Sequence, residues 1–226
     1  MRITNHLEDL QLRIKAAADV AGRNVNDITI LPASKRQSVD AIHEAVNAGC
    51  TAMGENYVQE ALQKIEILGQ TIDWHFIGQL QANKTKAIAE HFSWVHTVMS
   101  ARVAERLNKQ RPATIAPLNI CVQVCIDPEL SHGGCATANV QPLCELIATL
   151  PRLRLRGLMI LPMALTDHDQ QRVPFRQLHD LYTNLLNQGL ELDTLSMGMS
   201  DDLEAAIMEG STMIRIGTAL FGARNN

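Results

Sequence analysis

From residue 28 to residue 216 the chain alternates short β-branched runs with longer amphipathic ones, and this rhythm constrains its fold more than any other feature. Strand-like runs fall at 28–33, 51–53, 74–77, 94–98, 118–126, 153–160, 194–196 and 213–216. Helical patterns occupy 39–48, 58–68, 84–92, 101–110, 140–150, 173–187 and 203–208, the first two ended by Gly49 and Gly69. Strands that keep alternating with helices of about ten residues indicate βαβ units and a parallel sheet. Eight such strands predict a (β/α)8 barrel, with an open doubly wound sheet as the alternative. The fingerprint of that alternative, GxGxxG straight after a first strand, is missing. Residues 1–22 add an N-terminal amphipathic helix, with Leu7, Leu10, Ile14 and Ala18 on the face expected to pack on the barrel. No linker or shift of composition interrupts the chain, so residues 1–226 are expected to form a single domain.

The charge balance narrows the partners. Lys and Arg total 20 against 24 Asp and Glu, a net charge of −4 that leaves no footprint for nucleic acid or anionic lipid. No apolar run approaches the roughly 20 residues a membrane span needs, and the N-terminal segment lacks an apolar core of the signal-peptide kind. Five cysteines (Cys50, Cys121, Cys125, Cys135 and Cys144) show no tight paired spacing, and eight scattered histidines form no HExxH or CxxC…H pattern. Inert thiols, no metal site and a cytoplasmic location are the expectations.

Two regions carry groups suited to chemistry. The first strand-like run, ITILPASKR, stops at Lys35 and Arg36. Strand parity puts Lys35 on the face of Leu31 and Ala33, whereas Arg36 points the other way. If Leu31 and Ala33 line a barrel, Lys35 stands at its C-terminal mouth, where barrel enzymes hold reactive groups. A lysine there is either a solvated loop cation or, where burial strips its proton, an amine nucleophile. Arg36 reads as a lip residue.

At the other end, SMGMS (196–200) follows the seventh run, Asp201 and Asp202 open a helix, and MIRIGTA (213–219) carries the eighth run into a Gly-Thr turn. Glycine lets backbone N–H groups approach an anion, Ser and Thr add hydroxyl donors, and barrels commonly bind phosphate after strands seven and eight. Such turns are also common as plain structure, so their weight comes from occurring at these two strands together with Lys35. Arg215, inside the last strand, needs a partner because an unpaired buried cation is expensive. The partner is either Asp201 or another core carboxylate, or the ring nitrogen of a bound pyridine cofactor.

Ala33-Ser34-Lys35, GENYVQE (54–60), WHFIG (74–78), LQANK (80–84), RGLM (156–159) and residues 196–222 together resemble the pyridoxal phosphate homeostasis protein family, which is related to the N-terminal barrel of alanine racemase. The resemblance runs in order along essentially the whole chain, and GENYVQE and SMGMSDDLEAAI are its most specific stretches. It implies that Lys35 holds pyridoxal 5′-phosphate as a Schiff base and that Ser200 and the backbone of Gly217 and Thr218 hold the phosphate. It further implies that Arg215 faces the pyridine nitrogen and that Asn56 lines the ring pocket. Ser34, Glu55 and His75 fall near the same pocket, with structural hydrogen bonding as their expected role. Family members commonly carry a further lysine shortly after the Schiff-base lysine and another in the loop after strand five, where this chain has Gln37 and His132.

The function implied is a non-catalytic carrier that buffers the cofactor or delivers it to pyridoxal-dependent apoenzymes. An arginine beside the ring nitrogen opposes its protonation and makes a weaker electron sink than an aspartate would. Amino-acid racemase is the alternative. Two-base racemisation needs an acid/base on each face of the α-carbon, and in alanine racemases the second is a tyrosine from the partner's β-domain, which this chain is not expected to carry. Tyr57 and Tyr182 are the only tyrosines, and neither is convincing as a second base. A Schiff-base aldolase would need an acid/base pair beside Lys35. Without the dimerising domain, a monomer is expected.

Overall fold

The computed structural model describes residues 2–127 and 133–222. After α1 (Arg2–Val20) and a short 3-10 turn, the chain runs β1 (Thr29–Pro32), α2 (Val39–Asn47), β2 (Ala52–Glu55), α3 (Val58–Leu68), β3 (Asp73–Phe76) and α4 (Thr85–His91). It continues through β4 (Trp94–Val98), α5 (Ala101–Gln110), β5 (Leu118–Cys125), β6 (Cys135–Ala136), α6 (Thr137–Ala148) and β7 (Leu153–Met159). The last elements are α7 (His168–Asn187), β8 (Thr194–Ser196), α8 (Leu203–Met208), β9 (Met213–Ile216) and α9 (Thr218–Phe221). The sheet order is β1-β9-β8-β7-β5-β4-β3-β2, with the two-residue β6 off the ring beside β5. All pairings are parallel. The free edges of β1 and β2 meet at one bridge between Ala33 and Gly54, where the Ser34 N–H donates to the Gly54 carbonyl at 2.9 Å. This is the expected eight-stranded α/β barrel, nearly closed.

Strand parity sorts the side chains. Trp74, Phe76, Val95, Ile120, Val122, Leu158, Ile214 and Ile216 face outward into the layer beneath the helices. Leu31, Ile77 and Met213 form one cluster inside the ring, and Trp94, Cys121 and Met159 form another. The outer layer is the larger core; within it Phe76 meets Phe92 edge-on with ring centroids 5.6 Å apart. In α1 the expected face of Leu7, Leu10, Ile14 and Ala18 is buried, joined by Ile3 and Ala17. That face packs against α2, α8 and α9, and Arg13 pairs with Glu204 at 2.8 Å.

Three local expectations are corrected. Helices α6 and α7 begin about one turn earlier than the sequence pattern suggests, which places Pro142 and Pro174 beyond the first turn of each. Asp167 supplies the α7 start, its carboxylate accepting the Gln170 N–H at 2.8 Å. Asp202 occupies the N-cap position of α8 but makes no side-chain cap there; its Oδ1 takes the Met199 N–H instead. The interval between the fifth strand-like run and the helical pattern at 140–150 also holds β6 and the α6 start; residues 128–132, with His132, lie outside the described residues.

Candidate functional site

Four consecutive strands of the ring, β8, β9, β1 and β2, carry the expected residues to one rim. Lys35 is half-buried just past β1, Asn56 half-buried just past β2, Gly217 and Thr218 directly follow β9, and Ser200 sits in the β8–α8 loop. The strands hold these turns in register: Leu31 is opposite Arg215, and the Ala33 N–H donates to the Ile216 carbonyl at 2.8 Å. Ser200 Oγ accepts the Ala219 N–H at 3.3 Å, tying the β8–α8 loop to the turn after β9. Gly198 makes this loop tight. Its φ of 96° is left-handed, and a Cβ there would sit 2.6 Å from that of Ala206. A Cβ on Gly217, by contrast, would meet Ala33 at an ordinary contact distance of 3.7 Å.

The Lys35 turn is anchored from behind. Ser34 Oγ donates to Glu55 Oε1 at 2.6 Å, and Lys64 Nζ donates to the Ser34 carbonyl, Glu55 Oε1 and Glu60 Oε1 at 2.7, 2.7 and 2.6 Å. Glu60 Oε1 also takes the Arg36 N–H, and Arg36 adopts a left-handed φ of 61°. Ser34, Glu55 and Lys64 are all buried. Burial pushes the Glu55 carboxyl above its usual range, opposed by Lys64 and Ser34. Ser34 and Glu55 thus hydrogen-bond as expected, whereas Lys64 and Glu60 carried no signal beyond helical spacing. Arg36 is exposed, its guanidinium 5.9 Å from the Tyr57 ring centroid.

A polar file runs through the barrel interior from Arg215. Its Nη1 donates to the Ser196 carbonyl at 2.6 Å and to Ser196 Oγ at 2.8 Å, and its Nη2 donates to the Ile160 carbonyl at 2.8 Å. No hydrogen bond engages Nε among the described residues. The carboxylate that acts on Arg215 is Asp202, and only through the field; burial brings the guanidinium down to about 10. Asp201, one of the partners weighed from sequence, makes no bond to it. Ser196 Oγ lies 2.8 Å from His96 Nδ1, and His96 Nε2 lies 2.9 Å from His75 Nδ1. Burial pushes His75 down to about 3 and His96 well below its ordinary value, so both rings are neutral.

Arg215 can only donate, which leaves the Ser196 proton for His96 Nδ1 and places the N–H of each imidazole on Nε2. The file therefore runs one way, away from the guanidinium. His75 stacks on Trp94 with centroids 5.0 Å apart, and Arg156 closes the far end 4.4 Å above the Trp94 ring. Arg156 is in turn held by Asp193 at 2.7 Å.

Asn56 Oδ1 is buried and makes no hydrogen bond among the described residues. A cavity of about 330 Å³ opens beside it, lined by Tyr57, Gln59, Phe76, Gln79 and Lys84 among others. A larger cavity of about 690 Å³ lies at the opposite end of the barrel, between Arg154, Arg156, Leu190 and Asp193, and none of the rim residues lines it. Tyr182 packs against the helix–sheet layer, away from the rim.

A parallel barrel with an amine after its first strand, an arginine inside its last and Ser and Gly-Thr turns beside them belongs with the alanine racemase type. Residues 7–225 match the family model described as alanine racemase, N-terminal domain. Within that class the chain belongs to the pyridoxal phosphate homeostasis protein family. It is 49 % identical over 224 residues to the member from Pseudomonas aeruginosa, covering 99 % of this chain and 96 % of that one. The Escherichia coli K12 member is 48 % identical over 227 residues, covering 99 % and 97 %. The structure of PipY from Synechococcus elongatus with PLP bound superposes with a TM-score of 0.85 at 34 % identity, covering 98 % of this chain and 100 % of that one. Alanine racemase from Clostridium difficile shares the fold, with a TM-score of 0.71 at 17 % identity over 100 % of this chain and 57 % of its own.

Proposed function

We propose that this chain binds pyridoxal 5′-phosphate at the β8–β9–β1–β2 rim and serves its homeostasis as a carrier rather than as an enzyme. The observation that carries the reading is the convergence of a primary amine, a hydroxyl-and-amide cradle and a buried guanidinium on four adjacent strands. The fit of the residues is specific. A Cβ at Gly217 would make only an ordinary contact, and among the described residues Asn56 Oδ1 is a buried acceptor without a donor and Arg215 Nε makes no hydrogen bond.

Bound there, the cofactor supplies an aldehyde that condenses reversibly with a primary amine. Lys35 provides that amine; Ser200 and the backbone of Gly217 and Thr218 hold the phosphate; Asn56 lines the ring. Arg215 faces the ring nitrogen as a cation and disfavours its protonation. Its own proton stays put, because a guanidinium at about 10 is still charged at neutral pH. An electron sink is thereby weakened at the position where amino-acid chemistry needs it. We expect Arg215→Gln to shift the visible band of the loaded protein and its pH dependence while the cofactor survives gel filtration. An unaltered spectrum would remove the ring-nitrogen role.

The reading extends to the whole chain as one cofactor-binding unit, monomeric and cytoplasmic, with pyridoxal-dependent apoenzymes as recipients. No helix among the described residues is long and apolar enough to cross a membrane. Two measurements test the carrier role. Loaded protein incubated with D- or L-alanine should leave the enantiomeric composition unchanged; sustained turnover would favour the racemase reading. Mixed with an apoenzyme, loaded protein should activate it faster than it releases cofactor to solution, and equal rates would leave buffering alone.

A further inference from the structure

We propose that Glu55, Lys64 and Glu60 form a positioning device for Lys35, fixing the peptide groups on both sides of it while withholding a second amine from the chemistry. The inference rests on the cofactor reading above. Lys35 follows a carbonyl, that of Ser34, held by Lys64 Nζ at 2.7 Å. It precedes an N–H, that of Arg36, held by Glu60 Oε1. Both contacts lead to α3 through one ion triad, in which Lys64 lies 2.7 Å from Glu55 and 2.6 Å from Glu60. The turn itself needs such a hold. Arg36 has a left-handed φ of 61°, a conformation that L-residues other than glycine adopt at a cost, so the backbone at Lys35 persists because its surroundings impose it.

The same triad separates two chemically equivalent amines. The Lys64 side chain is only 6 % exposed and gives its hydrogens to three oxygen acceptors, so its nitrogen is held in the triad and turned away from the chemistry. A more ordinary device would cap the turn with neutral side chains. An ammonium shared by two carboxylates and a carbonyl both stiffens the turn and leaves the aldehyde with Lys35.

Glu60 is the member to alter, because its side chain is 26 % exposed and its removal empties no core space. Glu60→Ala removes the acceptor for both Arg36 N–H and Lys64, whereas Glu60→Gln keeps an oxygen in the same place. Stopped-flow absorbance is to be followed as each protein captures pyridoxal 5′-phosphate, with thermal unfolding of the cofactor-free proteins recorded in parallel. Capture by Glu60→Ala is expected to slow roughly tenfold, the scale on which misplacement of a reacting group is felt, with Glu60→Gln restoring most of the rate. Capture by Glu60→Ala at the unsubstituted rate overturns the positioning role. So does a slowing that Glu60→Gln fails to reverse while unfolding temperatures stay level. If the unsubstituted protein itself captures no cofactor, the functional reading falls first, and the two failures are told apart.

Discussion

Lys35→Ala is expected to abolish covalent fixation of the cofactor by borohydride, and this is the largest functional effect to be had from one substitution. The neighbouring amine, Lys64, cannot take over, being buried and bonded to three acceptors. Residual binding through the phosphate cradle and Arg215 should remain, but weaker by at least roughly 100-fold, since an amine held beside the aldehyde gains a proximity that no solution amine has. The fold should survive: Lys35 lies in a half-buried turn outside the apolar core, and an ordinary point substitution costs about 1 kcal/mol. Peptide mapping after reduction decides the matter. A reducible adduct on the same peptide of the Lys35→Ala protein would refute the assignment.

Gly157→Ala should have the largest effect on the scaffold. Gly157 pairs with Thr194 across β7 and β8, and a Cβ there would lie 1.7 Å from the Thr194 carbonyl oxygen. The obstacle is backbone, not a side chain that can swing aside, so the two strands must part. Overpacking ordinarily costs about 1–3 kcal/mol, and a backbone obstacle belongs at the upper end. For a protein of this size about 3 kcal/mol lowers the unfolding temperature by roughly 6–12 °C. The damage falls beside the Arg156–Asp193 pair at the far end of the barrel, so protein that remains folded should still capture cofactor at the rim. Thermal denaturation of the cofactor-free protein is the measurement, and an unchanged midpoint would show that the strands yield without strain.

The eight strands were legible because each is a short run bounded by turn residues and set between helical patterns, and the outward faces of most are wholly apolar. Parity gave the inward face of Leu31 and Ala33 directly, and with it the place of Lys35 at the rim. The starts of α6 and α7 were not legible. The helical patterns were read from 140 and 173; the extra turn upstream depends in α7 on Asp167, a cap visible only once its bond to Gln170 is seen.

The site divides in the same way. The rim positions of Lys35, Ser200 and the Gly-Thr turn could be read from place along the chain, because strand ends define the rim. Lys64 could not. Four residues after Glu60 on an amphipathic helix, it reads as half of an exposed ion pair, and only the approach of the β1 turn makes it a buried anchor. The interior file was equally hidden: His96 and Ser196 touch across a separation of 100 residues, and no local pattern announces two neutral histidines behind an arginine.

The seam between β1 and β2 gives the ring a clasp. A single backbone bridge at Ala33 and Gly54, with the Ser34 N–H on the Gly54 carbonyl, closes the ring there, backed by the Ser34–Glu55 and Lys64 side-chain bonds. Lys35 follows directly on the clasp, and Asn56 stands on its other side. A ligand gripped by both residues is a pin through the fastening, and by mass action whatever binds the fastened ring and not the sprung one holds it shut. On the proposed reading, storing a small molecule and keeping the barrel round would be one event, and a vessel that empties would also be a vessel that loosens.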